Sequence, residues 1–535
     1  MTNPRYNLRA STRNTPFWFY NEGQARKQDF WRQQVLKCLT PEAAEQLVRA
    51  NVIRDYARIY PLFSRKDIPQ RREKNITYNA WDIFLLSGEP KAIEYAVQEG
   101  HVTNRYLSEQ GLNPLELVAY LGSPDALHLI KTLTQFPTAE DDDLFSLLSC
   151  AALGGNVTLM KHVIGAKKFP EHYANSLLRT AAAGGSVAAM RFCVEELHAD
   201  PQQVNENYEN ALYLATSHGN VAAMRYAVNE LGISPLYQFN TEAASAMNFN
   251  ALVIAALSGN VKAMEVAVNE FHIAPDSSLI TGSGALFSAA ASGNPQAVSY
   301  ALTKLKLDPN RCVTDQGVHP ILAALMSGNR ECVELIAKAS GIKEGDFLEV
   351  DDPNNHPLLF AADGGNVELM EWVLKHYKTV TNHTDERGMN ALLRSAYGGK
   401  LAAMKYCVDV LKLNPHHRDE YGFSLVSIVA DSGNVAALRY VIETLGVDWR
   451  QKTDYGMNVL DFALCGRNLK SVIYLRHLGL EPTNYFDIEL QSRLSPVLQH
   501  ALSVPREQLA AEFPSFAELF QTKAVKLSRL SRAMM

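Results

Sequence analysis

Apolar residues along most of this chain recur with the spacing of short amphipathic helices that come in pairs. Residues 221–231 place apolar side chains at positions that share one helix face. Asn220, directly before them, is a good N-cap, and residues 210–219 leave room for a helix of about two turns. Pro235 blocks continuation of the second helix. The pattern therefore predicts two short antiparallel helices joined by a tight turn.

This unit repeats along the chain at a nearly constant step. A Ser/Gly-Gly-Asn turn marks the middle of each unit, and successive turn glycines are 30 to 40 residues apart, most of them 33 to 35. A fixed period of this length is typical of stacked-repeat proteins, which present long binding surfaces. At Gly219 and Gly365 we expect the left-handed backbone that glycine allows. The turn glycines are Gly88, Gly122, Gly155, Gly185, Gly219, Gly259, Gly293, Gly328, Gly365, Gly399, Gly433 and Gly466.

Three segments match the consensus of a known repeat family. Asn113–Gly122 follows the first half of the ankyrin unit, Leu307–Asn310 follows its Asp-Pro-Asn tail, and Asp385–Asn390 follows its hairpin. Residues 79–480 thus resemble an ankyrin-repeat array, which implies an all-α solenoid of about twelve helix-turn-helix units. The tetratricopeptide repeat, of about 34 residues, is the alternative, disfavoured because its first helix needs about 13 residues and the unit has nine available.

The chain departs from the ankyrin consensus at two places. The Thr-Pro-Leu-His element is mostly Asn-Ala-Leu or His-Pro-Leu here, and the His that follows the turn glycine is mostly Asn. Helix stacking is expected to persist. The hydrogen-bond network that the family's His anchors is put in question.

The repeat pattern stops at both ends of the chain. Residues 1–78 are expected to form a helical N-terminal cap or a docking segment, and residues 481–535 a helical C-terminal cap. Residues 523–535 carry a basic side chain at every third position and are read as a frayed tail, a secretion signal or a membrane-surface helix. Longer steps place insertions at Leu236–Phe249 and Gly341–Asn355, either as binding loops or as tolerated loop length.

Composition and motifs exclude several functional classes. The 535 residues carry a net charge of −6, which argues against a general affinity for nucleic acid. Seven cysteines without a Cys-x-x-Cys pair favour a reducing, cytosolic environment. No apolar stretch approaches the roughly 20 residues of a transmembrane helix, and the N-terminus lacks a secretory core. The His416-His417 pair falls in a solvated loop, and no nucleotide motif is present, so neither a metal nor a cofactor is expected.

The expected function is protein–protein interaction. Ankyrin arrays generally bind through their hairpin tips and the concave face of their first helices, so the resemblance places the binding residues there. A row of exposed apolar side chains marks such a surface better than scattered ones do. The candidate partner-binding residues are Tyr120, Leu153, Leu257, Met326, Asp363, Glu386, Arg387, Tyr397, Glu420, Tyr421 and Tyr455.

The amino-acid sequence of the repeats suggests a biological setting. The run Gly-Asn-Val-Ala-Ala-Met-x-Tyr resembles ankyrin-repeat effectors of intracellular bacteria with a type IV secretion system. That resemblance implies a host protein as partner and the host cytoplasm as destination. The alternatives are an enzyme whose terminal segments act on a repeat-bound target, and an ordinary cytoplasmic scaffold. No catalytic residue is assigned, and the oligomeric state stays open.

Overall fold

Pairs of short helices follow one another through the part of the chain that the structure, a computed structural model, describes. Two compact units, Met1–Pro320 and Ile321–Met535, divide the chain. The described residues are 85, 88, 90–98, 102–103, 113–134, 141–165, 171–205, 209–238, 248–277, 284–312, 318–342, 355–377, 380–453, 456–466, 468–483, 494 and 496–520.

The first unit contains helix pairs and one short hairpin. Its described elements are α1 (Pro90–Gln98), α2 (Pro114–Leu121), α3 (Pro124–Thr134), α4 (Asp141–Gly154), α5 (Val157–Ile164), α6 (Glu171–Gly184), α7 (Val187–Glu195), α8 (Ala211–Ser217), α9 (Val221–Asn229), β1 (Leu236–Gln238), β2 (Asn248–Asn250), α10 (Ala251–Leu257), α11 (Val261–Asn269), α12 (Ala285–Ser292) and α13 (Pro295–Thr303).

The second unit continues the pairs and ends in shorter helices. Its described elements are α14 (Pro320–Ser327), α15 (Arg330–Ser340), α16 (Pro357–Gly364), α17 (Val367–His376), α18 (Ala391–Tyr397), α19 (Leu401–Asp409), α20 (Leu425–Ser432), α21 (Val435–Arg439) with a π-helical turn at Tyr440–Thr444, α22 (Val459–Cys465), α23 (Leu469–His477), α24 (Pro496–Ser503), α25 (Leu509–Glu512) and 3₁₀ turns at Arg506–Gln508 and Pro514–Phe520.

First helices stack directly on first helices within each unit. In the first unit α2, α4, α6, α8, α10 and α12 form one continuous row of contacts, and in the second unit α16, α18, α20 and α22 form another. Small residues allow this close approach, since Ala215, Ala255 and Ala289 are fully buried between neighbours. The predicted all-α helical repeat array is confirmed. Among the described residues, the strands β1 and β2 form one two-stranded sheet.

The turn glycines explain why the repeats can lie so close. Gly219 and Gly365 have φ angles of 69° and 76°, as the sequence predicts. A Cβ on Gly365 would also stand 2.5 Å from Lys400 Cγ of the next repeat. Two other turn glycines, Gly122 and Gly466, have φ angles of −72° and −69° instead. At those two turns the left-handed conformation is not what selects glycine.

The asparagine after the glycine joins one repeat to the next. Asn434 Oδ1 accepts from the Ala437 N–H at 3.0 Å and caps α21, while its Nδ2 donates to the Gly399 carbonyl oxygen at 2.7 Å. The second bond crosses to the preceding repeat. It supplies a hydrogen bond between repeats at the position where Asn replaces the His of the family consensus. The asparagines whose amides donate to a carbonyl of the preceding repeat are Asn156, Asn220, Asn260, Asn294, Asn366, Asn434 and Asn468.

Second helices contact one another through cations on aromatic rings. Lys161 Nζ lies 5.3 Å from the centre of the Phe192 ring. In the second unit Lys405 Nζ lies 5.4 Å from the centre of the Tyr440 ring. In both pairs the cation comes from one repeat, directly after Met160 or Met404, and the ring comes from the next repeat, directly after Arg191 or Arg439. Such contacts at exposed sites contribute about 0.5–1 kcal/mol each.

Two first helices are longer than the sequence pattern predicts. α4 and α6 have 14 residues each, against seven in α8. No glycine or proline interrupts residues 141–153 or 171–183, so the segment that forms a hairpin loop elsewhere continues as helix here. The two-turn estimate holds for the unit around Gly219 and is wrong for these two.

The ends and insertions are described only in part. In the first insertion Leu236 pairs with Asn250, while residues 239–247 lie outside the described residues. Most of Gly341–Asn355, all of residues 1–78, and residues 484–493 and 521–535 also lie outside them. In the C-terminal segment, α24 and the last 3₁₀ turn pack on α23. There the buried Arg476 donates to the carbonyl oxygens of Leu502 and Val504 at 3.1 and 2.8 Å.

Replacement of Asn434 tests the bond between repeats. Ser186 holds the equivalent place in another repeat and still caps its helix, accepting from Ala189 N at 3.2 Å. We therefore expect Asn434→Ser to lose only the bond to Gly399, about 0.5–1 kcal/mol, and Asn434→Ala to lose the cap as well, about 1–2 kcal/mol. Denaturant unfolding of the full chain measures both values. A serine variant as stable as the wild type would contradict a role for the bond between repeats.

Left-handed residues at the ends of second helices give a second test. Lys412 has a φ of 57°, while Gly446, at the equivalent place in the next repeat, has a φ of 65° and open space around its Cα. We expect Lys412→Gly to stabilise by about 0.5–1 kcal/mol, because glycine adopts this conformation without steric cost, and Gly446→Lys to destabilise by a similar amount. Thermal and denaturant midpoints check the two signs, and shifts of the same sign would contradict the explanation.

Candidate interaction surface

Two hairpin loops of the second unit are held in shape by a buried aspartate each. In tip 1 (residues 384–390), Asp385 Oδ1 accepts from the N–H groups of Arg387 and Met389, both at 2.9 Å. In tip 2 (residues 418–424), Asp419 Oδ1 accepts from Tyr421 and Phe423 in the same way, at 3.0 and 2.7 Å. Short β-bridges close both loops. Local side-chain bonds of this kind fix a turn without help from a ligand.

The two tips are hydrogen-bonded to each other. The Glu420 N–H donates to the Arg387 carbonyl oxygen at 2.9 Å, and His417 Nε2 donates to the Gly388 carbonyl oxygen at 2.7 Å. Arg418 reaches further along the row, where its guanidinium contacts the side chain of Gln451. Adjacent tips therefore form one connected edge, and a partner that binds it meets loops that are already ordered.

A partly buried ion cluster ties tip 1 to the helices below it. Arg394 of α18 contacts Asp385 Oδ2 at 2.5 Å and Asp363 Oδ2 at 3.3 Å. The Asp385 side chain is only 1% exposed, so its charge needs this cation. Truncation of one partner in such a pair is costly because the other charge stays buried. Arg394 thus holds the loop that carries Glu386 and Arg387.

Above this framework, several side chains of the second unit face solvent. Glu386, Arg387 and Glu420 are exposed on the two tips. Tyr397 and Tyr421 are each 41% exposed, which is unusual for large aromatic side chains. The Tyr421 ring lies 6.1 Å from Phe423, centre to centre, so an aromatic neighbour supports it from inside the loop. We call Glu386, Arg387, Tyr397, Glu420 and Tyr421 the tip surface.

The remaining candidates from the sequence fall into different environments. Leu257 is 52% exposed at the end of α10, whereas Leu153 is only 5% exposed and offers no accessible surface. Tyr120 and Met326 are half-buried, and burial raises the pKa of the Tyr120 hydroxyl. Asp363 faces Arg394 as described above, and Tyr455 lies outside the described residues. The binding role of the whole set stays a prediction.

Sequence reasoning did not single out the residues that order the tips. Asp385 and Asp419 were visible as the first residue of an Asp-x-x-Gly hairpin, and that pattern could have indicated a self-capping turn. No local sequence pattern indicates the role of Arg394, because its partners Asp385 and Asp363 lie 9 and 31 residues away in the chain. Contacts of that separation become visible only in the folded repeat stack.

The described residues contain no group of three or more His, Cys, Asp or Glu side chains placed to hold a metal ion. In the His416-His417 pair, His417 contacts the Gly388 carbonyl and His416 is exposed. The helices within the described ranges include none with the length and apolar character needed to cross a membrane.

A family model supports the repeat assignment over part of the chain. Residues 286–337, which contain α12 to α14 and most of α15, match the family model described as ankyrin repeats (many copies). Among solved structures, the human ASB11 ankyrin repeat domain is similar, with 21% sequence identity, coverage of 40% of this chain and 90% of that chain, and a TM-score of 0.28. No curated protein gives a significant match to the sequence.

Proposed function

We propose that this chain is a protein–protein interaction scaffold that binds its partner through the tip surface of the second unit, because residues 286–337 match the ankyrin-repeat family model. The observation that carries this proposal is the connected edge of tips 1 and 2. Both loops are closed by buried aspartates and linked through Arg387 and Glu420, and tip 1 is anchored by Arg394. A surface ordered before binding loses less conformational entropy when a partner docks.

The chemistry of the tip surface supports the same proposal. Tyrosine and arginine are over-represented among residues that dominate binding energy, because they combine large apolar area with hydrogen-bonding groups. Here Tyr397 and Tyr421 are exposed, and so is Arg387 on tip 1. Glu386 and Glu420 add charges that a partner of complementary pattern would recognise.

As a finer proposal, the scaffold is a bacterial effector that binds a host protein in the host cytoplasm. The support is the repeat sequence Gly-Asn-Val-Ala-Ala-Met-x-Tyr and the composition of residues 507–535. In residues 507–535 acidic side chains precede a partly apolar terminal stretch, although four basic residues lie in between. Accessible tails suit recognition by a transport machine, because the folded array need not open.

Alanine substitution of the two tyrosines tests the binding proposal. We expect Tyr397→Ala with Tyr421→Ala to reduce capture of specifically bound proteins at least about tenfold, since such side chains are each worth roughly 2 kcal/mol at interface centres. The measurement is affinity capture from host-cell lysate with quantitative mass spectrometry, read as enrichment over bare resin.

The matched control replaces exposed apolar residues outside the tip surface. Leu133 and Val410 are 38% and 58% exposed, so Leu133→Ala with Val410→Ala removes a similar kind of surface. The control is expected to keep full capture, and both doubles are expected to unfold near the wild-type temperature. Equal capture by the wild type and the tyrosine double would place the interface elsewhere.

Deletion of residues 523–535 tests the effector proposal. We expect the truncated chain to fail in delivery into host cells in a reporter-fusion assay while its thermal midpoint stays unchanged, because an address in a tail is read without unfolding the repeats. The control is a fusion in which residues 523–535 are replaced by a neutral sequence of equal length. Delivery that persists without the tail would refute the address, and a collapse of stability would assign the segment a structural role.

A further inference from the structure

Two histidine rings lie face to face between α16 and tip 1. His356 is the N-cap residue of α16, and its ring centre is 4.0 Å from that of His383, with the ring planes 12° apart. His383 immediately precedes tip 1 in the chain. His356 is only 6% exposed, and its Nδ1 has no hydrogen-bond partner among the described residues. The stack is thus a buried contact between one repeat's first helix and the next repeat's hairpin.

The surroundings of His356 disfavour a positive charge. The N-terminus of a helix carries free N–H groups and the positive end of the helix dipole. The titratable group that acts on His356 within the described residues is His383, a second potential cation. Burial, with a smaller effect of His383, lowers the pKa of His356 from 6.5 to about 4.

The nearby carboxylates are engaged elsewhere. Asp385, two residues beyond His383, is bonded to Arg394 and to N–H groups of its own loop. Asp363 lies near the opposite end of α16 and contacts the same arginine. The arginine contacts fix both carboxylates in the ion cluster, so neither is placed to compensate a proton on His356.

We propose that the stack of His356 on His383 is an acid-sensitive latch that holds tip 1 in place, so that mild acidification releases the tip and weakens partner binding there. The binding consequence rests on the proposed function, whereas the release of the loop does not. Tip 1 is the right element for such control, because the Arg387 and Gly388 carbonyls are where tip 2 attaches. Movement of tip 1 breaks the connected edge.

The direction of the pH effect follows from the difference between the two states. The ordinary pKa of the His356 imidazole is 6.5 and applies when the latch is open, while the closed state has a pKa of about 4. The closed state is therefore fully favoured above pH 6.5 and loses its advantage as the pH falls towards 4. At pH 5 the opening equilibrium is expected to rise on the order of tenfold over its value at pH 7.5.

Hydrogen exchange measured by mass spectrometry on the full chain tests the latch without a partner. After correction for intrinsic exchange rates, amides in residues 380–390 should exchange on the order of tenfold faster at pH 5.0 than at pH 7.5. His416→Gln, which removes an exposed histidine in the next loop, should show the same increase. His356→Gln should show none. Equal exchange of the wild type at both pH values, or an unchanged increase in His356→Gln, would overturn the proposal.

A direct titration covers the case in which His356→Gln does not fold. The wild-type chain labelled with ¹³C at histidine Cε1 gives the pKa of each imidazole by NMR, with His356 assigned by the missing signal of a His356→Phe chain or by proximity to His383. A value well below 6.5 supports the latch, and a value at or above 6.5 overturns it. Loss of the Tyr397 and Tyr421 effect on capture at pH 7.5 would instead remove the proposed function and leave the exchange result unaffected.

Discussion

The amide of the turn asparagine is the interaction on which the repeat stack depends. A single repeat cannot bury its apolar face alone, so neighbouring repeats must meet at a fixed distance. Asn434 sets that distance by capping its own helix with Oδ1 and donating to the Gly399 carbonyl with Nδ2. The glycine makes the approach possible, because a side chain at Gly399 would meet Asn434 Cβ at 3.0 Å. Glycine and asparagine thus act as a pair across the repeat boundary.

The repeats without this asparagine show that neither its cap nor its bond to the preceding repeat is needed at every boundary. Ser186 keeps the cap but is too short to copy the reach of the asparagine amide. Lys400 makes no side-chain cap bond at all. Its aliphatic stem instead lies against Gly365, so packing replaces the cap at that boundary. The stack therefore tolerates loss of the cap where first helices still pack tightly, as α16 and α18 do.

The spacing of repeats also sets the geometry of the tips. Tip 2 reaches the Arg387 carbonyl through a single backbone N–H, that of Glu420, so a shift of one repeat against the next by an ångström or two would break the bond. The ion cluster of Asp363, Arg394 and Asp385 spans the preceding boundary, between the repeats of α16 and α18. Its geometry, rather than any gain in stability, is what it contributes to the surface, since buried ion pairs seldom outweigh the cost of removing charges from water.

The sequence predicted what is local and repeated, and it could not predict what crosses a repeat boundary. The helix pairs and the left-handed backbone at Gly219 followed from period and residue type. The cap role of Asn220 is an exception, because its side chain makes no cap bond and donates only across the boundary. Partners such as Asn366 and Gly328 lie 38 residues apart, and no local pattern indicates which carbonyl the amide will reach. The 14-residue helices α4 and α6 are longer than predicted, because the predicted length of two turns comes from the unit around Gly219 alone.

Both amide and carboxylate side chains anchor loops in this structure. In the first unit Asn175 Oδ1 accepts from the Asp200 N–H, an amide contact that does not titrate. In the second unit the carboxylate of Asp419 anchors tip 2, and burial raises the pKa of Asp419. A raised carboxyl pKa makes protonation favour the folded state as the pH falls, which is opposite in sign to the effect at His356.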